Sequence, residues 1–112
     1  MSTTADQIKL YKVDAAPVKS PSEVGEILDK FIDAVQDLVE VKAGELLDPS
    51  FRRHHSYFIG FRSRSNVPAD QHAITTVSAE LVRFCNSNRL PIIEMDSKRP
   101  ELRAVLAAFA WE

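Results

Sequence analysis

Ser-Tyr-Phe-Ile-Gly-Phe-Arg, residues 56–62, is the stretch of sequence that decides the fold. A strand places alternate side chains on opposite faces of its sheet. Tyr57, Ile59 and Phe61 therefore point one way, while Phe58 and Gly60 point the other way. Because neither set is polar, the pattern predicts a central strand that is covered on both faces.

An amphipathic helix is predicted upstream of this strand. Ser20, Pro21 and Glu23 match the N-cap, N1 and N3 positions of a capping box. The helix should end between Gly44, which can cap it in a left-handed conformation, and Asp48-Pro49, which cannot continue it. Apolar residues recur at spacings of three and four to form one helical face, at Val24, Ile27, Leu28, Phe31, Val35, Leu38 and Val39.

Further strands are predicted at residues 8–13 and 90–96, and Pro100 is placed to start a last helix. Residues 70–86 can form a helix with a stripe that includes Ile74, Val77 and Leu81, or a strand. Their length and their good helix formers favour the helix.

The resulting order, β-α-β-α-β-α, predicts one α/β domain over residues 8–112 after a disordered tail at residues 1–7. Strands that alternate with helices form parallel sheets, so we expect a small three-stranded, mostly parallel sheet. The alternative is an α+β fold in the order β-α-β-β-β-α, with residues 75–84 and 90–96 as a hairpin.

Composition excludes several classes of protein. The chain has 112 residues, of which 45% are hydrophobic and 27% are charged, as in ordinary globular domains. A single cysteine excludes an internal disulfide and a multi-cysteine zinc site. No apolar run approaches the roughly 18 residues of a membrane span. The first residues lack a secretory signal, so a cytoplasmic location is expected.

The net charge of −2 conceals an asymmetry. Residues 1–50 carry five basic and ten acidic side chains, whereas residues 51–112 carry nine basic and six acidic ones. Arginine supplies eight of those nine, and its planar fork suits carboxylates and phosphates. We therefore expect an arginine-rich surface that recognises an acidic partner, and its predicted partner-binding residues are Arg52, Arg53, His54 and His55.

A ligand site is predicted where the strands end, because open parallel sheets bind ligands beyond their carboxyl ends. The candidate anion-binding residues are Arg62, Ser63, Arg64, Lys98 and Arg99. The alternative function is therefore a phosphate- or nucleotide-binding domain, with weak hydrolase or transferase activity.

The last helix is apolar on every side over residues 104–111, although an outer helix needs only one apolar stripe. This excess predicts that Phe109 and Trp111 contact a partner protein or a second copy of the chain. Packing in the core of the same chain is the competing interpretation.

No catalytic motif is present, so the sequence favours a function other than catalysis, and no cofactor is expected. Cys85 lies on an apolar stripe, which indicates a structural thiol. His54 and His55 diverge in an extended chain and do not suggest a metal site. Asp14 and Asp96 could share a magnesium ion, but aspartate is common where strands end.

These observations predict a small protein-interaction module, adaptor or regulatory, that self-associates as a homodimer and has no membrane partner. Nucleic-acid binding is a lesser alternative. It would use Arg52, Arg53, Arg62 and Arg64, with Tyr57 or Phe51 stacking on bases, and the acidic net charge disfavours it.

Overall fold

Four strands and three helices make up the computed structural model, which describes residues 8–14, 21–48, 55–64 and 68–111. The elements in chain order are β1 (Ile8–Val13), α1 (Pro21–Val35), β2 (Glu40–Leu47), β3 (His55–Arg62), α2 (Pro68–Ser87), β4 (Ile92–Met95), a 3₁₀ turn (Pro100–Leu102) and α3 (Arg103–Ala108).

The strands form one sheet in the order β2-β3-β1-β4, and every neighbouring pair is antiparallel. Strands that a helix connects, β1 with β2 and β3 with β4, run parallel to each other but are not neighbours. In each case another strand lies between them. This is the split β-α-β arrangement of ferredoxin-like folds, which support many unrelated functions.

The predicted three-stranded, mostly parallel sheet is wrong. The structure has a fourth strand, β2, where the sequence predicted the end of the first helix. Helix α1 ends at Val35, and Gly44 lies within β2 rather than in a helix cap. The helical spacing extends to Val39 because Val35 and Val39 both lie in the core that α1 covers. Val35 is the last residue of α1, whereas Val39 lies in the turn before β2.

The alternative order with a hairpin at residues 75–84 and 90–96 is also wrong, because residues 68–87 form one continuous helix. The helical interpretation of residues 70–86 is thus confirmed. Thr75, Thr76 and Val77 are β-branched, but the buried stripe of Ile74, Val77 and Leu81 outweighs their weak helix propensity.

Helices α1 and α2 cover one face of the sheet, which we call the helical face. Tyr57, Ile59 and Phe61 of β3 point into this core, as the alternation predicted. Phe31 of α1 lies 6.5 Å from Phe61 and 5.6 Å from Phe84 of α2, measured between ring centroids. The three rings connect the sheet to both helices.

The opposite face, the C-terminal face, is covered by the last part of the same chain. Phe58 of β3 and Leu10 of β1 are fully buried there. Their cover comes from the segment that contains the 3₁₀ turn and α3, through Leu102, Val105, Leu106, Phe109 and Trp111. The apolar excess of the last helix is therefore used inside the chain, in a second core.

Helices α2 and α3 both end in a Schellman motif. Arg89 and Ala110 adopt positive φ angles of 59° and 61° after the two helices. Leu90 N donates to the Cys85 carbonyl at 2.8 Å, and Trp111 N donates to the Leu106 carbonyl at 2.9 Å. Each motif reverses the chain and sends the next side chain, Leu90 or Trp111, into a core.

Gly60 lets the indole of Trp111 lie directly against the sheet. A Cβ atom at Gly60 would lie 2.7 Å from Cζ3 of Trp111, which is closer than real contacts allow. At Gly44, in the neighbouring strand, an added Cβ would have no atom within 4 Å. The need for glycine in β3 is therefore set by Trp111 rather than by the backbone, since no described glycine has a positive φ.

We expect Gly60→Ala to lower the free energy of unfolding by about 1–3 kcal/mol, because overpacking a core typically costs this much. It should also shift the emission of Trp111, the only tryptophan in the chain. Gly44→Ala is the matched control, and we expect a change below about 0.5 kcal/mol. Urea denaturation followed by tryptophan fluorescence measures both effects. Equal changes in the two variants would contradict the proposed role of the indole.

Candidate interaction surface

The carboxyl ends of β3 and β4 lie at the same end of the sheet, because these strands run parallel with β1 between them. Arg62 is the register partner of Ile8 in β1. On the other side of β1, Ser97 Oγ donates to the Ile8 carbonyl at 3.3 Å. The predicted anion-binding segments 62–64 and 97–99 therefore share one end, separated by one strand and roughly 10 Å.

The arginines at this end face groups of their own chain. Arg62 forms an ion pair with Glu40 of β2, and its guanidinium lies 5.3 Å from the centre of the Trp111 ring. Arg99 forms an ion pair with Glu101. The Arg62 contact fixes a cation over the second core rather than presenting it to a ligand.

A shallow cleft of about 410 Å³ lies beside β4 at the same end. It is lined by two cations, Lys9 and Lys98, and by two carboxylates, Glu94 and Asp96. Lys9 Nζ lies 3.1 Å from Glu94, and the Lys98 backbone N–H donates to Asp96 Oδ1 at 3.0 Å. Because the charges balance, this cleft has no excess of positive charge to attract a phosphate.

Asp14 and Asp96 lie at opposite ends of the sheet. Asp14 follows β1 and its N–H donates to the carbonyl of Pro91, just before β4, whereas Asp96 follows β4. The two carboxylates therefore cannot share a magnesium ion. Among the described residues, no group of three or more His, Cys, Asp or Glu side chains is placed to hold a metal ion.

His55, the described member of the predicted partner-binding segment, lies at the opposite end of β3 from Arg62. His55 is exposed at the first position of β3, and Arg62 is at its last position. The two ends of this strand are roughly 23 Å apart. Arg52, Arg53 and His54 lie outside the described residues.

Phe109 and Trp111, which the sequence offered as partner contacts, are only 6% and 7% exposed. Their rings form an edge-to-face pair with centroids 5.7 Å apart, inside the second core. They are needed to cover the C-terminal face, so a surface contact must use other residues.

Tyr57, one of the two residues proposed to stack on bases, is not at the surface. Tyr57 is 5% exposed on the helical face. Burial, with a smaller contribution from the negative charge of Asp29, raises the pKa of the Tyr57 hydroxyl to about 12. Phe51 lies outside the described residues.

Cys85 is fully buried in α2 within the core of the helical face. Burial raises the pKa of its thiol to about 11, so the reactive thiolate is rare near neutral pH. The side chain therefore acts as a small apolar residue, as its place on the apolar stripe indicated.

A buried ion pair lies at the other end of the C-terminal face, where sequence reasoning did not expect one. Lys12 Nζ of β1 donates to Asp48 Oδ2 at 2.8 Å, and Ser56 Oγ of β3 donates to the same oxygen at 3.0 Å. The Asp48 side chain is completely buried, and that of Lys12 is 12% exposed. This pair links β1 to the end of β2 across β3. The sequence gives no signal for it, because the partners are far apart along the chain.

We expect Asp48→Ala to lower the free energy of unfolding by about 3 kcal/mol, because it removes the buried carboxylate that accepts from Lys12 and Ser56. The control is Glu94→Ala. It removes the exposed partner of Lys9, which lies on β1 as Lys12 does. Exposed pairs contribute less than about 1 kcal/mol, so this variant should be nearly as stable as the parent. Chemical denaturation compares them, and similar losses in both would contradict the argument.

The outer edge of β2 is the longest open sheet edge in the described part of the chain. β2 has eight residues and lies at one margin of the sheet, whereas β4, at the other margin, has four. An edge strand leaves one row of its backbone N–H and C=O groups without a strand partner. The polar–apolar alternation of residues 40–43 is the sequence signal for this strand, and the helical spacing before it concealed that signal.

Exposed apolar side chains flank this edge. Leu38 lies just before β2 and is 54% exposed, and Leu47 ends β2 and is 57% exposed. The only other large apolar side chain that is exposed among the described residues is Ile93 of β4, at 54%. Two of the three thus lie at the two ends of one open strand.

The elements at this margin have a negative net charge. Within α1, β2 and the turn between them, seven carboxylates oppose two lysines. We call α1, β2 and this turn the acidic margin; its carboxylates belong to Glu23, Glu26, Asp29, Asp33, Asp37, Glu40 and Glu45. Glu40 pairs with Arg62, and Glu45 accepts from Ser22 Oγ at 3.0 Å.

Comparison of the chain with protein-family models, with curated proteins and with solved structures finds no significant match. None of the described helices is long and apolar enough to cross a membrane. A functional assignment therefore depends on the geometry of the surface.

Proposed function

We propose that this chain is a protein-interaction domain that binds an extended, basic segment of a partner protein along the outer edge of β2. The partner segment adds a fifth strand to the sheet. Main-chain hydrogen bonds supply the affinity in this mode of recognition, and pockets for alternate side chains supply the specificity.

The observation that carries the proposal is the open edge of β2 between two exposed leucines. β2 contains no proline, and none of its residues has a positive φ, so its full length can pair with another strand. A strand of eight residues spans roughly 27 Å, so an added strand of that length reaches along β2 to Leu47 and ends next to Leu38. Edges without such a role are commonly short or blocked by proline, as β4 is with four residues after Pro91.

Charge selects the class of partner. The seven carboxylates of the acidic margin outnumber its two lysines together with Arg62 and Arg64, which lie against it. The margin therefore attracts lysine- and arginine-containing segments and repels acidic ones. This differs from the arginine-mediated recognition of an acidic partner that the sequence suggested. Arg62 and Arg99 of the described surface already face carboxylates of the same chain.

The same charge disfavours a second copy of the chain as the occupant. Symmetric pairing of two β2 edges places the α1 helices of both copies on the same face, next to the shared edge. In each copy the seven carboxylates of the acidic margin outnumber its two lysines and the adjacent Arg62 and Arg64. Like charges at short range oppose this contact, so the proposal commits to a different, basic protein.

We expect the chain to select basic, strand-forming peptides from a library of displayed random 12-residue peptides. Leu38→Ser with Leu47→Ser should weaken the synthetic form of the best peptide at least tenfold, measured by calorimetry. Ile93→Ser is the control, because it removes an equally exposed apolar side chain from the opposite edge. We expect its affinity to stay within twofold of the parent.

Hydrogen–deuterium exchange of the complex tests the mode of binding directly. The bound peptide should slow exchange of the outward-facing amides of β2 and leave those of β4 unchanged. A peptide that protects β4 instead, or equal losses for Ile93→Ser and the leucine variant, would contradict the proposal.

We expect the chain alone to remain a monomer, with a mass of 12.6 kDa by light scattering at low and at moderate salt. The reason is the mutual repulsion of two acidic margins, which is strongest at low ionic strength. A species of twice this mass with protected β2 amides would contradict the charge argument and return weight to the predicted homodimer.

A further inference from the structure

Gly44 lies in the interior of β2, where a glycine weakens the strand. Such a glycine commonly marks a bulge or the close approach of another molecule. The pairing of β2 with β3 runs without a break from Glu40 to Leu47, so β2 contains no bulge. Gly44 does not have a positive φ either. The close approach of another chain is therefore the explanation that fits a glycine on an open edge.

A gap lies above Gly44 on the C-terminal face of the sheet. Lys42, Gly44 and Leu46 share this face, because side chains alternate along a strand and Leu46 packs against the second core. A Cβ atom added at Gly44 would meet no described atom within 4 Å. Lys42 and Leu46 are roughly 13 Å apart along the strand, so the gap is wide enough for a ring.

The boundaries of this gap differ in chemistry. Leu46 is partly buried and forms an apolar wall at one end. Lys42 is exposed at the other end. The backbone of Gly44 forms a flat floor between them. A cation is attracted to the face of an aromatic ring, so this combination favours an aromatic side chain over an aliphatic one.

The neighbouring strand already holds a ring in an arrangement of this kind. Gly60 of β3 is the register partner of Lys42, and the indole of Trp111 lies directly against it. The guanidinium of Arg62, two residues further along β3, lies 5.3 Å from the centre of that indole. Glycine, ring and cation thus occur together on β3, whereas β2 supplies a glycine and a cation two residues apart.

We infer that the partner strand places an aromatic side chain over Gly44, an inference that rests on the proposed binding at β2. The residue opposite Gly44 in an added strand points to the same face, because paired residues of neighbouring strands share a face. Its ring lies across the glycine between Leu46 and Lys42. Aromatic residues are known to stabilise strand pairs opposite an edge glycine. The partner is therefore a basic segment with an aromatic residue at this register position.

The test is a double-mutant cycle, measured by calorimetry with the full chain and the tightest-binding synthetic peptide from the displayed library. Gly44→Val fills the gap with a branched side chain that suits a strand. Each aromatic residue of the peptide is replaced in turn by alanine. At one peptide position, alanine and Gly44→Val should each lower the affinity about fivefold, and together they should lower it little further.

Glu45→Thr is the matched control, because it places a β-branched side chain at the next position of β2, on the opposite face. It should change the affinities of the aromatic and the alanine peptide by the same factor. Urea denaturation checks that both variants are folded, and Gly44→Ala repeats the cycle with a smaller side chain. Equal coupling in the Gly44 and Glu45 variants would indicate a general disturbance of β2 and overturn the inference.

Cyclohexylalanine at the same peptide position separates the aromatic face from the size of the ring. It keeps the bulk and removes the π electrons that attract Lys42. We expect it to bind at least twofold more weakly than the aromatic peptide, and we expect Lys42→Met to remove this difference. Equal affinity of the two peptides for the parent chain would show that any large apolar side chain suffices, and the aromatic assignment would be wrong.

The inference and the proposed function fail in different ways. If peptides protect the β2 amides but lack an aromatic residue, or show less than twofold coupling to residue 44 at every position, strand addition stands and the aromatic site is wrong. If no peptide protects the β2 amides, both are wrong.

Discussion

Burial of β3 on both faces is the constraint on which the rest of the structure depends. Phe58, Ile59 and Phe61 are completely buried although successive side chains point to opposite sides of the sheet. A chain of this size must therefore supply two covers for one sheet. Helices α1 and α2 form the first, and the segment from the 3₁₀ turn to Trp111 forms the second. What these covers leave accessible is the margin of the sheet.

The two-sided character of β3 could be predicted from seven residues, because alternation is a local property. The neighbours of β3 could not. Val35 and Val39 continue the helical spacing of Leu28 and Phe31, and all four lie in the same core. The helical period therefore extends past the end of α1 and conceals the change to the two-residue period of a strand. Because β2 was missing from the predicted order, each helix was expected to connect two adjacent parallel strands. One missed strand thus changed the topology of the whole sheet.

The candidate site shows the same division between local and long-range information. Sequence reasoning grouped Arg62 with Lys98 and Arg99, and the structure does bring these segments to one end of the sheet. The anions that face the cations come from elsewhere, since Glu40 reaches Arg62 from β2 and Glu94 reaches Lys9 from β4. Only the register of the strands determines these pairs. A count of arginines therefore overstated the positive charge that a ligand would meet.

The cover of the C-terminal face is held too closely to serve as the binding surface itself. Gly60 has no side chain, so the Trp111 indole lies against the strand, and the Schellman motif aims that indole at the sheet. Holding Ala110 in a left-handed conformation costs about 1 kcal/mol, which the burial of Trp111 and Phe109 more than offsets. At the end of α1, Asp33 and Asp37 oppose the helix dipole, and Arg64 offsets part of this effect by donating to the Gln36 carbonyl. The part of the described sheet that neither cover reaches is the outer edge of β2, with an exposed leucine at each end, so an added strand can pair there without disturbing either core.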